Sequence, residues 1–205
     1  MEKLKKVSVL IMGLLFFANL SGCENFMGND DDDESAEDED PAEASVYEQT
    51  YQTLTEAMNK AIIGVYLTMD EPTNIPGDNY FVLPESITVA SDYDGFVNVS
   101  GSYEISIYQS TLYNFDLGLN IDSFTFDGVV DGSAVLTANM ETTITHLVYS
   151  INYSGTGTHT GESFSNISWD ITYAQDSANQ GSVSGRIEID GISYEVTDAA
   201  AVGVF

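Results

Sequence analysis

The sequence predicts a mainly β (α+β) domain. Its body is an antiparallel meander of about eight to ten strands, curved into a sandwich or a barrel-like sheet and preceded by one amphipathic helix. Three observations predict this. Apolar residues recur in steps of three and four between residues 46 and 68, and from about residue 79 onward they alternate with polar ones. No helix-period segment separates the alternating runs, so the crossovers that a parallel sheet needs are absent.

The helix comes first. Ser45 and Glu48 have the spacing of a capping box. Tyr47, Tyr51, Leu54, Met58, Ala61/Ile62, Val65 and Met69 then follow at helical spacing, and Asp70-Glu71-Pro72 stops the pattern. These residues predict a helix over about 46–68 with a core-facing stripe. A lone helix beside many strands must bury that stripe on the sheet. The competing use, an oligomerising coiled coil, would have only about three heptads.

The strands follow over about 79–197. Tyr103, Ile105 and Ile107 alternate with polar residues, as do Phe115, Leu117, Leu119 and Ile121. Ile167, Trp169, Ile171 and Tyr173 do the same, then Ile187 with Ile189 and Tyr194 with Val196. Asp190-Gly191, between Ile189 and Ile192, is a two-residue hairpin signal. Asp127-Gly128 and Asp131-Gly132 are similar signals, but four residues apart they cannot both be hairpin tips. Residues 154–157 (Ser-Gly-Thr-Gly) and 176–181 read as longer loops. Gly101, Gly132 and Gly185 each follow a Val by two residues and read as bends of the meander. A single domain of about 160 residues buries roughly 70% of its unfolded surface, enough for a core without disulfides.

Charge narrows the function. The 205 residues carry 33 acids and five bases, a formal net charge of -28. Nucleic-acid binding and docking on an anionic lipid surface both need cations that this chain lacks. At 43% hydrophobic and 11% aromatic, the chain is too apolar to be wholly disordered.

The N-terminus reads as an address. Lys3, Lys5 and Lys6 precede an apolar stretch from Val7 to Leu20, of signal-peptide length and short for a membrane span. Leu20-Ser21-Gly22-Cys23 follows. This resembles the lipobox of bacterial lipoproteins, and the resemblance covers residues 1–23. It implies cleavage between Gly22 and Cys23 by signal peptidase II, a diacylglycerol on the Cys23 thiol and frequent acylation (palmitate, for example) of the new amine. Cys23 is the sole cysteine, so no internal disulfide competes for it. Two or three acyl chains make a stable anchor where one does not. Glu24 rather than Asp follows, which by the enteric rule points to the outer membrane.

Residues 24–44 hold eleven acids and no base. Such a run repels itself and extends, so residues 23–44 read as the lipidated Cys and a disordered spacer. The run also resembles the surface-export signals of Bacteroidetes lipoproteins, although those lie closer to the Cys than Asp30 does. The remaining 45–205 read as one globular domain. It is acidic in its own right, with 21 acids against Lys60 and Arg186.

Catalytic and metal motifs are sparse. His146, read within a strand, and His159, read in a Thr/Gly loop, lack zinc-site spacing and are expected on the surface or on a sheet face. Asp92-Tyr93-Asp94-Gly95 is a partial EF-hand loop without its third acid or its position-twelve Glu. Asp92 and Asp94 are therefore the weak candidate Ca²⁺ ligands, and no other cofactor is expected. Asn98, Asn152 and Asn166 stand in formal glycosylation sequons but read as plain strand residues. Trp169 is expected in the core.

The expected protein is a surface-exposed envelope lipoprotein anchored through Cys23, at the outer membrane rather than the inner one, carrying a non-enzymatic β-rich binding or structural module. Its ligand could be a protein, a glycan or an apolar molecule, and the sequence fixes neither that nor the oligomeric state. Two alternatives remain. One is an envelope carrier of an apolar ligand, on the plan of lipocalin-like and periplasmic lipid-carrier folds. The other is an enzyme with an unrecognised carboxylate site.

Overall fold

A computed structural model describes residues 41–69, 77–83, 86–108, 110–143, 146–161, 163–178 and 180–197. The signal sequence, Gly22, Cys23 and the spacer as far as residue 40 lie outside the described residues. The helix α1 spans Pro41–Thr68. Nine strands follow: β1 (Gly77–Val82), β2 (Ile87–Ala90), β3 (Phe96–Ile107), β4 (Thr111–Thr125), β5 (Val129–Thr142), β6 (Leu147–Thr160), β7 (Phe164–Gln175), β8 (Gly181–Ile189) and β9 (Ile192–Val196).

All pairings are antiparallel, in one sheet of order β1-β3-β4-β5-β6-β7-β8-β9. The short β2 joins the same edge of β3 as β1, further along the strand. The meander predicted from alternation is there, but the sheet does not close into a barrel. The layer that covers its apolar face is α1.

The helix starts a turn earlier than the capping box implies. Ser45 lies inside it rather than at its end. Pro41 suits a first helical turn, where its missing N–H costs nothing. Tyr51, Leu54, Met58, Ala61, Ile62 and Val65 are buried, as their spacing predicts. Thr50, Thr53, Thr55, Ala57 and Asn59 are buried as well, so the sheet encloses more than one stripe. Thr50 and Thr53 satisfy their hydroxyls within the helix, donating to the carbonyls of Val46 at 2.7 Å and Gln49 at 2.8 Å.

The helix crosses the whole sheet. Near its start, Tyr47 stacks on Tyr194 of β9, with ring centroids 5.3 Å apart. Near its end, a Cβ on Gly64 would come within 2.3 Å of Val89 of β2. Seventeen residues of helix cover about 26 Å. The seven strand-to-strand steps from β9 to β2 come to roughly 34 Å along the sheet. The sheet is therefore bowed over the helix, with its two edges drawn toward the helix ends.

Glycines permit the bow. Gly101 and Gly185 have φ of 127° and 140°, and a Cβ on them would strike the carbonyl oxygens of Asp116 and Asp170 at 2.2 and 2.1 Å. Gly132, the third expected bend, lies opposite Gly157, where a Cβ would sit 2.5 Å from the Thr156 carbonyl. The concave face carries the core: Phe115, Leu117, Leu119 and Ile121 of β4, then Ile167, Trp169, Ile171 and Tyr173 of β7, all buried. The convex face is hydroxyl- and amide-rich. One register row across it reads Thr88, Asn98, Asn120, Ser133, Thr156, Ser168, Glu188 and Ser193.

Two loop expectations need correction. Residues 154–157 are not a loop but the middle of β6. His159 is likewise in β6, wholly buried, rather than in a loop. The inward positions of this stretch are Gly155, Gly157 and His159, which carry no apolar alternation to read. His146, expected within a strand, instead lies just before β6 and is half-buried, its backbone N–H donating to the Thr143 hydroxyl.

Candidate functional site

The meander sends four of its turns to one end. These are residues 91–95, 126–128, 161–163 and 190–191, joining β2 to β3, β4 to β5, β6 to β7 and β8 to β9. In each turn, or on the first strand residue after it, a large apolar side chain faces solvent. Tyr93 is 70% exposed, Phe126 36%, Phe164 64% and Ile192 48%. These four are half of the eight large exposed apolar residues among the described ones. On three of the four turns an exposed aspartate stands beside the apolar residue: Asp92 and Asp94, Asp127, and Asp190.

The turns are tied in pairs along this rim, the first to the second and the third to the fourth. The rings of Tyr93 and Phe126 meet edge to face at 6.1 Å. Thr125 donates its N–H to the Asp94 carbonyl at 2.9 Å, and the Ser91 hydroxyl donates to the Thr125 carbonyl. Asp127 donates its N–H to Thr53 of the helix at 3.3 Å. Asn166, two residues after Phe164, donates its N–H to the Asp190 carboxylate at 2.8 Å and accepts the Asp190 N–H at 2.9 Å. Those bonds, with the Asn166 N–H foremost and Ser165 next, hold the Asp190 carboxyl below its ordinary pKa, so it is ionised.

Local sequence dictates each turn. Asp190 and Gly191 have φ of 49° and 89°, the double positive φ that a two-residue hairpin turn requires. Asp127-Gly128 is the β4–β5 tip. Asp131 instead lies in β5, where its carboxylate accepts the Ser123 N–H at 2.7 Å across an irregularity in the pairing. Ser123 has φ of 49° there.

Asp92 and Asp94 sit on the first turn but do not converge on one point. Asp92 accepts from Lys60 of the helix at 2.7 Å. Asp94 accepts the Gly95 N–H at 2.9 Å, a bond that shapes its own turn. Lys60 also reaches Glu56 at 3.7 Å, so one ammonium joins two carboxylates where the helix meets the rim. Burial raises the Glu56 pKa, Lys60 opposes that and Asp92 adds to it. Among the described residues, no group of three His, Cys, Asp or Glu side chains is placed to hold a metal ion.

His159 lies behind the rim, and sequence reasoning missed its place. A Cβ on Gly128 would sit 2.1 Å from its Nε2, and one on Gly161 would sit 3.1 Å from its Cε1 and 2.8 Å from Gln49 Oε1. The imidazole thus packs beneath two of the turns and beside the helix. Neither ring nitrogen has a hydrogen-bond partner among the described residues. Burial lowers its pKa, and Asp127 works the other way. The rim itself was scattered in the sequence as single turn residues; only the topology gathers them at one end.

Among the described residues no helix is long and apolar enough to cross a membrane. No protein-family model matches the chain, and no similar curated protein or solved structure was found.

Proposed function

We propose that this protein is a lipid-anchored component of a bacterial cell envelope, carrying a non-enzymatic binding module. The anchor reading rests on residues 1–23, where a basic start, an apolar stretch and Leu-Ser-Gly-Cys stand in lipoprotein order. Acyl chains on Cys23 hold the protein at the outer membrane, and the ten acids from Glu24 to Asp40, ahead of the helix, keep the domain away from the lipid surface.

The observation that favours a module over a carrier is the position of α1. A carrier of an apolar ligand keeps its concave face open to that ligand. Here Leu54, Met58, Ala61 and Val65 of the chain's own helix occupy the face and are wholly buried. Binding is then the work of the outer surface, and the rim of apolar and acidic turns is its most distinctive part.

Labelling cells with an alkyne-tagged palmitate tests the anchor. The wild-type chain takes up label and fractionates with membranes, and Cys23→Ser does neither. A Cys23→Ser chain that remains in the membrane fraction sinks this reading.

A further inference from the structure

We propose that the four-turn rim is a docking surface for a cationic amphipathic polypeptide, a partner segment that presents Lys or Arg beside apolar side chains. The proposal rests on the binding-module reading and names the class of partner.

Two properties of the rim carry it. The first is the apolar content. A surface turn needs Gly, Asn or Asp for its backbone, and nothing in turn formation requires Tyr, Phe or Ile at the tip. Yet Tyr93 and Phe126 stand exposed in their turns, and Phe164 and Ile192 on the first strand residue after theirs, all at the same end. At the opposite end the β3–β4 turn carries Tyr108, 68% exposed, while the β7–β8 turn has Asp176 and no large apolar residue, so among the described residues one end holds four such residues and the turns of the other hold one. Exposed apolar side chains held together on a rigid scaffold mark an interaction surface.

The second property is charge. Asp92, Asp94, Asp127 and Asp190 lie among those tips. Beyond residue 6 the chain has only two bases. Lys60 is engaged by Asp92 and Glu56, and Arg186 lies opposite Glu195 on the convex face. The rim is therefore apolar and anionic together. An anionic bilayer is repelled by it. A neutral bilayer gains nothing from the acids, and a neutral glycan, although its hydroxyls can donate to them, forms no ion pair there. A polypeptide with bases beside apolar residues uses both, placing cations on carboxylates and against the Tyr93 and Phe126 rings.

The test uses the full mature chain in nonionic detergent and two fluorescein-labelled synthetic peptides of equal charge, one built of Lys and Leu, the other of Lys and Ser. Anisotropy titrations compare wild type with Tyr93→Ser/Phe126→Ser, with Asp94→Asn/Asp127→Asn, and with Asp116→Asn/Asp170→Asn on the convex face. Circular dichroism checks that each variant keeps its fold. Expected are a tenfold or greater loss of Lys–Leu peptide affinity in the aromatic variant, an unchanged Lys–Ser affinity, and a larger loss in the rim-acid pair than in the convex pair. Equal losses in the two acid pairs overturn the proposal, because the overall charge then does the binding. So does an unchanged aromatic variant, or rim-dependent binding to phosphatidylcholine vesicles that exceeds binding to the Lys–Leu peptide. A wild-type chain that takes up no acyl label would sink the anchor reading and leave this comparison standing, so the two fail separately.

Discussion

The hydroxyls of Thr55 and Tyr173 lie 2.9 Å apart in the buried interior and join the helix directly to β7. Tyr51, one turn earlier on the helix, is electrostatically coupled to the same hydroxyl. Burial pushes the Tyr173 hydroxyl's pKa well up, so it stays neutral. Replacing Tyr173 by Phe leaves Thr55 buried without this partner, at a cost of about 1–2 kcal/mol. Thermal melts should show Tyr173→Phe melting several degrees below wild type, at roughly 2–4 °C per kcal/mol. The double variant Thr55→Val/Tyr173→Phe should lose less than the two single losses combined. Strict additivity would show that the two hydroxyls do not depend on each other.

His159 makes stability depend on pH. Its burial disfavours the imidazolium, so its folded pKa lies below its unfolded one. The unfolded chain then binds more protons in that range. Stability is complete above about pH 6.5, the ordinary histidine value, and declines as pH falls from there toward the folded value. Asp127 offsets part of the decline. Glu56, whose folded pKa is raised, contributes in the opposite sense, its stabilisation fading as pH rises through that pKa. Urea melts of wild type and His159→Leu isolate the histidine share. Between about pH 6.5 and 5 the wild-type curve should fall relative to the variant's; parallel curves would contradict the buried imidazole.

Gly191 isolates backbone strain. Nothing lies within 4 Å of where its Cβ would be, but its φ is 89°. Gly191→Ala should therefore cost about 1 kcal/mol through conformation alone, while Gly191→Asn, which tolerates positive φ better, should cost less. Equal melting temperatures for the two variants would argue against the two-residue turn.

Gly155 tests how closely the concave face is filled. A Cβ there would come within 2.5 Å of the Trp169 ring and 2.9 Å of Ala134 Cβ. Gly155→Ala should destabilise by about 1–3 kcal/mol and shift the fluorescence of the sole tryptophan toward longer wavelength. An unmoved spectrum would mean that the indole does not rest on that glycine.

Much of the fold is legible in the sequence because burial leaves a period. Phe115 to Ile121 and Ile167 to Tyr173 alternate cleanly, and each inward residue is buried. The helix was legible as one stripe and turned out more deeply enclosed, because Thr50, Thr53 and Thr55 read as polar although in-helix and cross-layer hydrogen bonds satisfy them. β6 hid for a different reason. Gly155, Gly157 and His159 face inward there, and glycine has no side chain to mark a face. The rim could not be read along the chain, since its residues stand some 25–40 positions apart and only an up-and-down meander brings alternate turns to one end.

The account turns on the helix filling the concave face, and a titration with the fluorescent fatty acid cis-parinarate tests that most directly. With Leu54, Met58 and Val65 wholly buried against the sheet, the full mature chain should give no saturable fluorescence rise beyond that of the detergent alone. A saturable rise of one fatty acid per chain, abolished by Leu54→Trp in a variant that keeps its fold, would contradict the filled face and make the domain a carrier.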